Sequence, residues 1–248
     1  MTNDNERIDD LQRNGYRIIQ NKDCFCFGMD AVLLSSFAKA QKNEQVLDLG
    51  TGNGVIPILM QAKNPDAAGF TGLEIQAVSA DLARRSVELN GIGEAVKIVQ
   101  GDIKEASTIF GGASFNVVTT NPPYMKVSSG KAAADSGRNR SRHETRGGID
   151  EFCTAAARML EWGSPFYVVY RPDRLCDLIS AMRSSGIEPK RMCFVQCDEL
   201  HEPSLVLVEG IRGGSAALRL LPTLMLRDRD ENDSERYREI IGSMSFDG

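Results

Sequence analysis

Asn116-Val117-Val118-Thr119-Thr120 runs without a spacer into Asn121-Pro122-Pro123-Tyr124. Proline donates no backbone hydrogen bond and does not continue a paired strand, so a core strand is expected to stop hard here. The stop is flanked by a carboxamide, which both donates and accepts, and by a phenol ring. Other strand-like runs upstream also end on groups able to bind. Asp48 closes "QVLDLG" and opens the turn Asp48-Leu49-Gly50-Thr51-Gly52-Asn53-Gly54. Glu74 and Ile75 close "GFTGLEI", and Asp102-Ile103 follows "VKIVQ". Acids at the carboxyl ends of successive strands lie where open α/β sheets take their ligands.

The glycines let the backbone turn tightly and come close to a ligand. Their G-x-G-x-G spacing is not the G-x-G-x-x-G of dinucleotide binders, and no P-loop lysine follows. A nucleoside with a positive charge and no phosphate suits this set. Glu74 would accept from the ribose hydroxyls, and Asp102 would bind or flank an adenine amino group. S-adenosylmethionine, with its cationic sulfonium, has that character. The expected cofactor residues are Asp48, Gly50, Thr51, Gly52, Gly54, Glu74, Ile75, Asp102, Ile103 and Asn121.

The elements that must hold these residues alternate. Strands are expected at 45–50, 69–75, 96–100, 115–120 and 165–170, and helices at Val55–Lys63, 77–89, about 150–161 and about 173–184. In the 77–89 helix, Val78, Leu82 and Leu89 form the expected apolar stripe, and Asn90-Gly91 stops it. The last strands, 191–197 and 204–210, are too close for a parallel crossover and should be antiparallel or apart. The expectation is an α/β, Rossmann-like sheet of seven strands, mostly parallel, with helices on both faces and one antiparallel strand near the C-terminus. Residues 1–40 are read as an N-terminal flap and helix packed on the main domain of 41–248, with an inserted loop at 126–148. Asp30 is expected to cap that helix.

Composition agrees with one domain. The chain has 248 residues, 42% hydrophobic and 25% charged, ordinary for a soluble protein with a full core. The polar N-terminus reads as no signal peptide, and no apolar run reaches membrane-spanning length. A cytoplasmic protein is expected. The six cysteines include a Cys24–Cys26 pair and the alternating Cys193 and Cys197. None has a partner at zinc-ligand spacing, so reduced thiols and no metal are expected. The net charge of −5 does not point to nucleic acid. However, the stretch Lys126–Arg146 has six basic residues (Lys126, Lys131, Arg138, Arg140, Arg142, Arg146) against Asp135 and Glu144. A local patch of that kind can dock an anion irrespective of the total.

The glycine turn, Glu74, Asp102 and Asn121-Pro-Pro-Tyr124, in that order, resemble the class I S-adenosylmethionine-dependent methyltransferases. The Asn-Pro-Pro-Tyr turn is similar to that of the branch that methylates amino groups of adenine, guanine or glutamine. Residues 7–38, "SFNVVTTNPPYMK" and Arg142-His143-Glu144 are similar to the bacterial tRNA(Val) adenine-37 N6-methyltransferase family; Ser141 stands where alanine is expected. The resemblance implies methyl transfer to N6 of an unpaired adenine in a tRNA anticodon loop. The alternatives are a protein glutamine N5-methyltransferase or an N-methyltransferase acting on adenine or guanine of ribosomal RNA. The short segment before Asp48 argues against the glutamine enzymes, which resemble this chain but carry a sizeable helical domain there. A monomer or weak homodimer is expected, with neither a metal nor a membrane as partner.

An exocyclic amine is a weak nucleophile because its lone pair is delocalised into the ring. Asn121 Oδ1 and the Pro122 carbonyl would accept its two N–H bonds and turn the lone pair toward the methyl group. Pro122 and Pro123 would stiffen that grip, and Tyr124 would stack on the base. Lys126, Arg140, Arg142 and His143 would contact the RNA. Phe25 and Phe27 would either enclose the adenosine or pack in the core. Tyr170 lies near the site without an assigned role, and Trp162 is expected to be a packing residue.

Overall fold

The computed structural model describes residue 3 and residues 5–22, 26–123 and 148–246. Strands β3 (Gln45–Leu49), β4 (Gly69–Glu74), β5 (Val96–Gln100), β6 (Val117–Thr120) and β7 (Pro165–Tyr170) form a parallel run in the order β7-β6-β3-β4-β5. Strands covered on both faces read as continuous apolar runs, and β6 is buried at every position. The long β8 (Ile187–Gln196) and β9 (Leu205–Arg212) complete the expected seven strands. β9 lies between β7 and β8, antiparallel to both. The short β10 (Arg219–Leu220) and β11 (Leu224–Met225) extend the edge on β8 and bring the sheet to nine strands.

One face of the sheet is covered by α1 (Met29–Phe37), α2 (Val55–Lys63), α3 (Ala77–Leu89) and, late in the chain, α7 (Glu235–Ser243). The other is covered by α4 (Ala106–Phe110), α5 (Ile149–Met159) and α6 (Leu175–Ser184). A separate hairpin of β1 (Glu6–Asp10) and β2 (Arg17–Asn21) sits against α3. Its backbone is tied there by Ile19 N–H donating to Ser86 Oγ at 3.0 Å and by Arg17 N–H donating to Asn90 Oδ1 at 2.8 Å. Around α1, Phe37 meets Tyr167 and Phe246 edge-on, with ring centroids 6.0 and 5.2 Å away. Tyr237 of α7 donates to Met29 Sδ at 3.0 Å. Lys63 Nζ donates to the carbonyls of Ser36 and Ala38 at 2.9 and 2.7 Å, which satisfies the open end of α1.

Several expectations are corrected. The stripe of α3 is not Val78, Leu82 and Leu89: Val78 is 57% exposed, and the buried residues are Ala80, Leu82, Ala83, Ser86 and Val87. Small residues face inward because α3 lies close to the glycine turn, and a hydrophobicity-weighted pattern does not register them. Trp162 is not a packing residue but 78% exposed. It lies over Gly213, where a Cβ would come within 2.2 Å of the indole. β8 begins earlier than the sequence suggests, because Pro189 sits at a register shift that excuses its missing donor. Cys197 does have neighbours of ligand type, since Asp198 and His201 bring their ligand atoms within 4.8 Å of its thiol and of each other. The Asp198–His201 ion pair at 2.8 Å accounts for two of the three.

Candidate active site

The ends of four neighbouring strands are level. Asp48 and Leu49 of β3 pair with Thr119 and Thr120 of β6 on one side, and with Gly72 and Leu73 of β4 on the other. Glu74 in turn pairs with Gln100 of β5. The carboxyl edge of the sheet therefore presents Asn121, the 48–54 turn, Glu74 and Asp102 side by side.

The turn is bound to its neighbours. Gly50 and Thr51 N–H both donate to the Leu73 carbonyl, at 2.9 and 3.1 Å, and Gly52 N–H donates to Glu74 Oε2 at 2.8 Å. Glu74 Oε1 accepts from Gln76 N–H at 2.8 Å. Gly52 and Gly54 have φ of 58° and 83°, a region that costs other residues about 1–2 kcal/mol. At Gly54 a Cβ would also stand 3.1 Å from Ala83 Cβ, whereas at Gly52 it would meet nothing within 4 Å. The Gly52 backbone thus faces open space, where a ligand can come close. Gly54→Ala is expected to cost about 1–3 kcal/mol of stability, read as a lower urea midpoint at unchanged slope.

Among the described residues, the buried side-chain atoms without a hydrogen-bond partner include Asp48 Oδ2, Thr51 Oγ1 and Asn53 Nδ2, all in this one turn. Buried polar atoms are normally satisfied, so a carboxyl oxygen, a hydroxyl able to donate or accept, and an amide donor concentrated here mark a polar ligand site. Asp48 is 1% exposed, and its Oδ1 accepts from Thr119 Oγ1 at 2.7 Å. Burial pushes its carboxyl up to about 7; the nearby Thr51 and Thr119 hydroxyls pull the other way, and the Glu74 charge adds to the rise. Burial also raises Glu74, against the backbone N–H groups that hold it. Two clustered acids whose ionisation is suppressed by desolvation would gain from a cation. Asp102 caps a short 3-10 turn, its Oδ1 accepting from Lys104 N–H at 2.9 Å.

At the end of β6, Thr120 Oγ1 donates to the Leu49 carbonyl at 2.8 Å, which fixes the strand end on the glycine turn. Asn121 is partly buried, Pro122 buried and Pro123 exposed. Asn121 Nδ2 donates to Asp30 Oδ2 at 2.9 Å. Asp30 is therefore not the cap of α1: the N-cap position is Gly28 and has no side-chain cap, while Asp30 stands inside the first turn. The physical reason is position: α1 begins at Met29, one residue before Asp30, whose Oδ1 accepts from Ala31 N–H while Oδ2 accepts from Asn121.

Residues 22–137 match the family model of the methyltransferase small domain. The fold of the chain is that of the class I methyltransferases. A protein of Porphyromonas gingivalis named tRNA1(Val) (adenine(37)-N6)-methyltransferase is 28% identical over 73% of this chain and 72% of its own. A protein of the same name from Bacteroides fragilis is 24% identical over 75% and 76%. Among solved structures, a predicted O-methyltransferase of Agrobacterium tumefaciens superposes with a TM-score of 0.72 at 19% identity, over 89% of this chain and all of that one. That likeness is one of fold alone.

In this methyltransferase the sheet edge brings together Asp48, Gly50, Thr51, Gly52, Gly54, Glu74, Asp102 and Asn121. Ile75 stands beside them, 40% exposed, and Ile103 packs partly into the core below α5. Tyr124, Phe25, Lys126, Arg140, Arg142 and His143 lie outside the described residues. Phe27 packs against the core, with its N–H donating to Gln20 Oε1 at 3.1 Å. Tyr170 is buried in the second core cluster, which raises its phenol by desolvation. The sequence reading passed over Asn53, Thr119 and the true partner of Asp30. Asn53 had a signal, being a polar residue inside the glycine turn; Thr119 and Asp30 had none that a linear reading could use. Among the described residues no helix is long and apolar enough to cross a membrane.

Proposed function

We propose that this methyltransferase transfers the methyl group of S-adenosylmethionine to the exocyclic N6 of an unpaired adenine in a tRNA anticodon loop. The observation that carries the reading is the joint between β6 and β3: the Thr119–Asp48 and Thr120–Leu49 hydrogen bonds hold Asn121-Pro122-Pro123 against the donor turn. The names of the curated relatives support the substrate class. The polar atoms without partners at Asp48, Thr51 and Asn53 fit a donor that has an ammonium, a carboxylate and a sulfonium. Glu74 would take the ribose hydroxyls and Asp102 the adenine side. The donor supplies an electrophilic methyl group.

The chain's own residues then act by position. Asn121 Oδ1 and the Pro122 carbonyl accept from the amine and aim its lone pair, and Tyr124 supplies a ring for the base to stack on, worth about 1–3 kcal/mol. In-line attack is favoured by orientation and fixed dipoles. An unpaired base suits this geometry because exposing it costs little. The basic 126–148 stretch, with Lys126, Arg140, Arg142 and His143, would clamp phosphates beside it. Residues 1–40 act as flap and helix over the catalytic domain of 41–248. A tRNA substrate places the enzyme in the cytoplasm, where we take it to work as a monomer or weak homodimer without a metal.

The test is incubation with labelled S-adenosylmethionine and total tRNA, followed by identification of the modified nucleoside. Label in N6-methyladenosine is the expected result. Label in protein glutamine, or in a ribosomal RNA base, overturns the substrate.

Donor binding should depend on pH. A cation bound beside Asp48 favours its ionised form, so binding expels the proton that this carboxyl holds below about 7. Affinity is therefore expected to fall as pH drops below that value, by up to about tenfold per unit. Calorimetry in two buffers of different ionisation enthalpy should register proton release over the same range. Affinity that stays flat down to about two units below neutrality would refute a cation at Asp48.

A further inference from the structure

We infer that Asp30 is a positioning residue for methyl transfer, acting through Asn121; the inference rests on the amine-holding role proposed for Asn121 above. A carboxamide has two ends, and only its oxygen can accept from an amine. Rotated by half a turn, Asn121 would present Nδ2 to the substrate nitrogen and repel it. The hydrogen bond from Nδ2 to Asp30 Oδ2 at 2.9 Å decides the orientation. A carboxylate offers no donor, so it holds only the amino end of the amide and leaves Oδ1 on the opposite side of the same planar group. The negative charge also draws electron density toward Oδ1, which strengthens it as an acceptor.

Asp30 is itself held. It stands in the first turn of α1, where the helix dipole favours an anion. Its Oδ1 accepts from Ala31 N–H at 2.9 Å, which turns Oδ2 to Asn121. The residue is only 9% exposed, so water competes little for the bond. Gly28 leaves room for this arrangement, since a Cβ there would stand 3.0 Å from Asp30 Oδ1. An unpaired helix-cap acid would need none of this. The contact joins residues 91 apart in the chain, so the N-terminal segment contributes to the chemistry as well as to coverage of the sheet.

The experiment is a double-mutant cycle on the full chain with Asp30→Ala, Asn121→Ala and the pair, measuring kcat and KM for donor and tRNA. Asp30→Ala is expected to lower kcat about 10–100-fold, with both KM values and the donor Kd within about twofold. The pair should be no slower than Asn121→Ala alone, because Asp30 acts only through that amide. Asp30→Asn has one acceptor oxygen for two donors, Ala31 N–H and Asn121 Nδ2, and should recover only part of the rate that Asp30→Ala loses. If the two losses multiply in the pair, or Asp30→Ala has wild-type kcat, the role of Asp30 is refuted while that of Asn121 stands. If Asn121→Ala itself turns over normally, the amine-holding reading falls first. Should Asp30→Ala fail to fold, Asp30→Asn decides: it must fold with normal donor binding and at least about a tenth of the wild-type kcat, and a greater loss refutes the proposal.

Discussion

Asn121→Ala is expected to methylate tRNA about 10²–10³-fold more slowly than the wild type, the effect of removing one hydrogen-bonding group aimed at a transition state. The loss should be in kcat. Asn121 is set into the site from two directions: from behind by Thr120, whose hydroxyl bonds to the Leu49 carbonyl at 2.8 Å, and from the side by Asp30. Truncation removes the Asp30 contact with the amide but leaves the Thr120–Leu49 bond in place, so the donor turn keeps its shape and the donor Kd should move by no more than about threefold. Single-turnover kinetics with labelled donor separate the two quantities. Near-normal turnover in this variant would mean that the amine is held by something other than the end of β6.

Glu74→Ala should do the opposite and strike binding. Its carboxylate accepts from Gly52 and Gln76 N–H, each at 2.8 Å, in a setting only 5% exposed. Removal strands two backbone donors, at about 1–3 kcal/mol apiece, and deletes the charged acceptor proposed for the ribose. The donor Kd should rise about 10²-fold or more, with a lower urea midpoint besides. Glu74→Gln, which keeps one acceptor oxygen, should lie between, near tenfold. If Glu74→Gln and Glu74→Ala both bind S-adenosylmethionine as the wild type does, the ribose contact is wrong.

The contrast between these two residues shows what could be read directly from the chain. Glu74, Asp48 and Asp102 each follow a run of β-forming residues, and the glycines and prolines beside them punctuate the chain locally, so alternation and spacing suffice to place them at one edge of a sheet. The antiparallel β9 was legible for a similar reason, since the short connection from β8 forbids a crossover. The partnerships were not legible. Asp48 meets Thr119 and Asp30 meets Asn121 across 71 and 91 residues, and nothing near Asp30 distinguishes an acid that orients an amide from one that caps a helix. The inward face of α3 was misread because its buried positions include small residues, Ala83 against Gly54 of the glycine turn and Ser86 against Ile19 of the hairpin, which a hydrophobic pattern does not register. The hairpin of β1 and β2 was missed because its polar, mostly exposed first strand carries no core pattern.

Tyr237 and Phe246 close over α1 through Met29 and Phe37. The acid-rich stretch from Arg227 to Glu239, which composition alone would assign to solvent, therefore includes a side chain, Tyr237, bonded to Met29 just ahead of Asp30. A protease cut or premature stop ahead of Glu235 would leave the glycine turn, Glu74 and Asn121 unaltered in sequence. It would nonetheless loosen the helix that tells the amide which way to face, so damage at one end of the chain would surface as slow chemistry at the other.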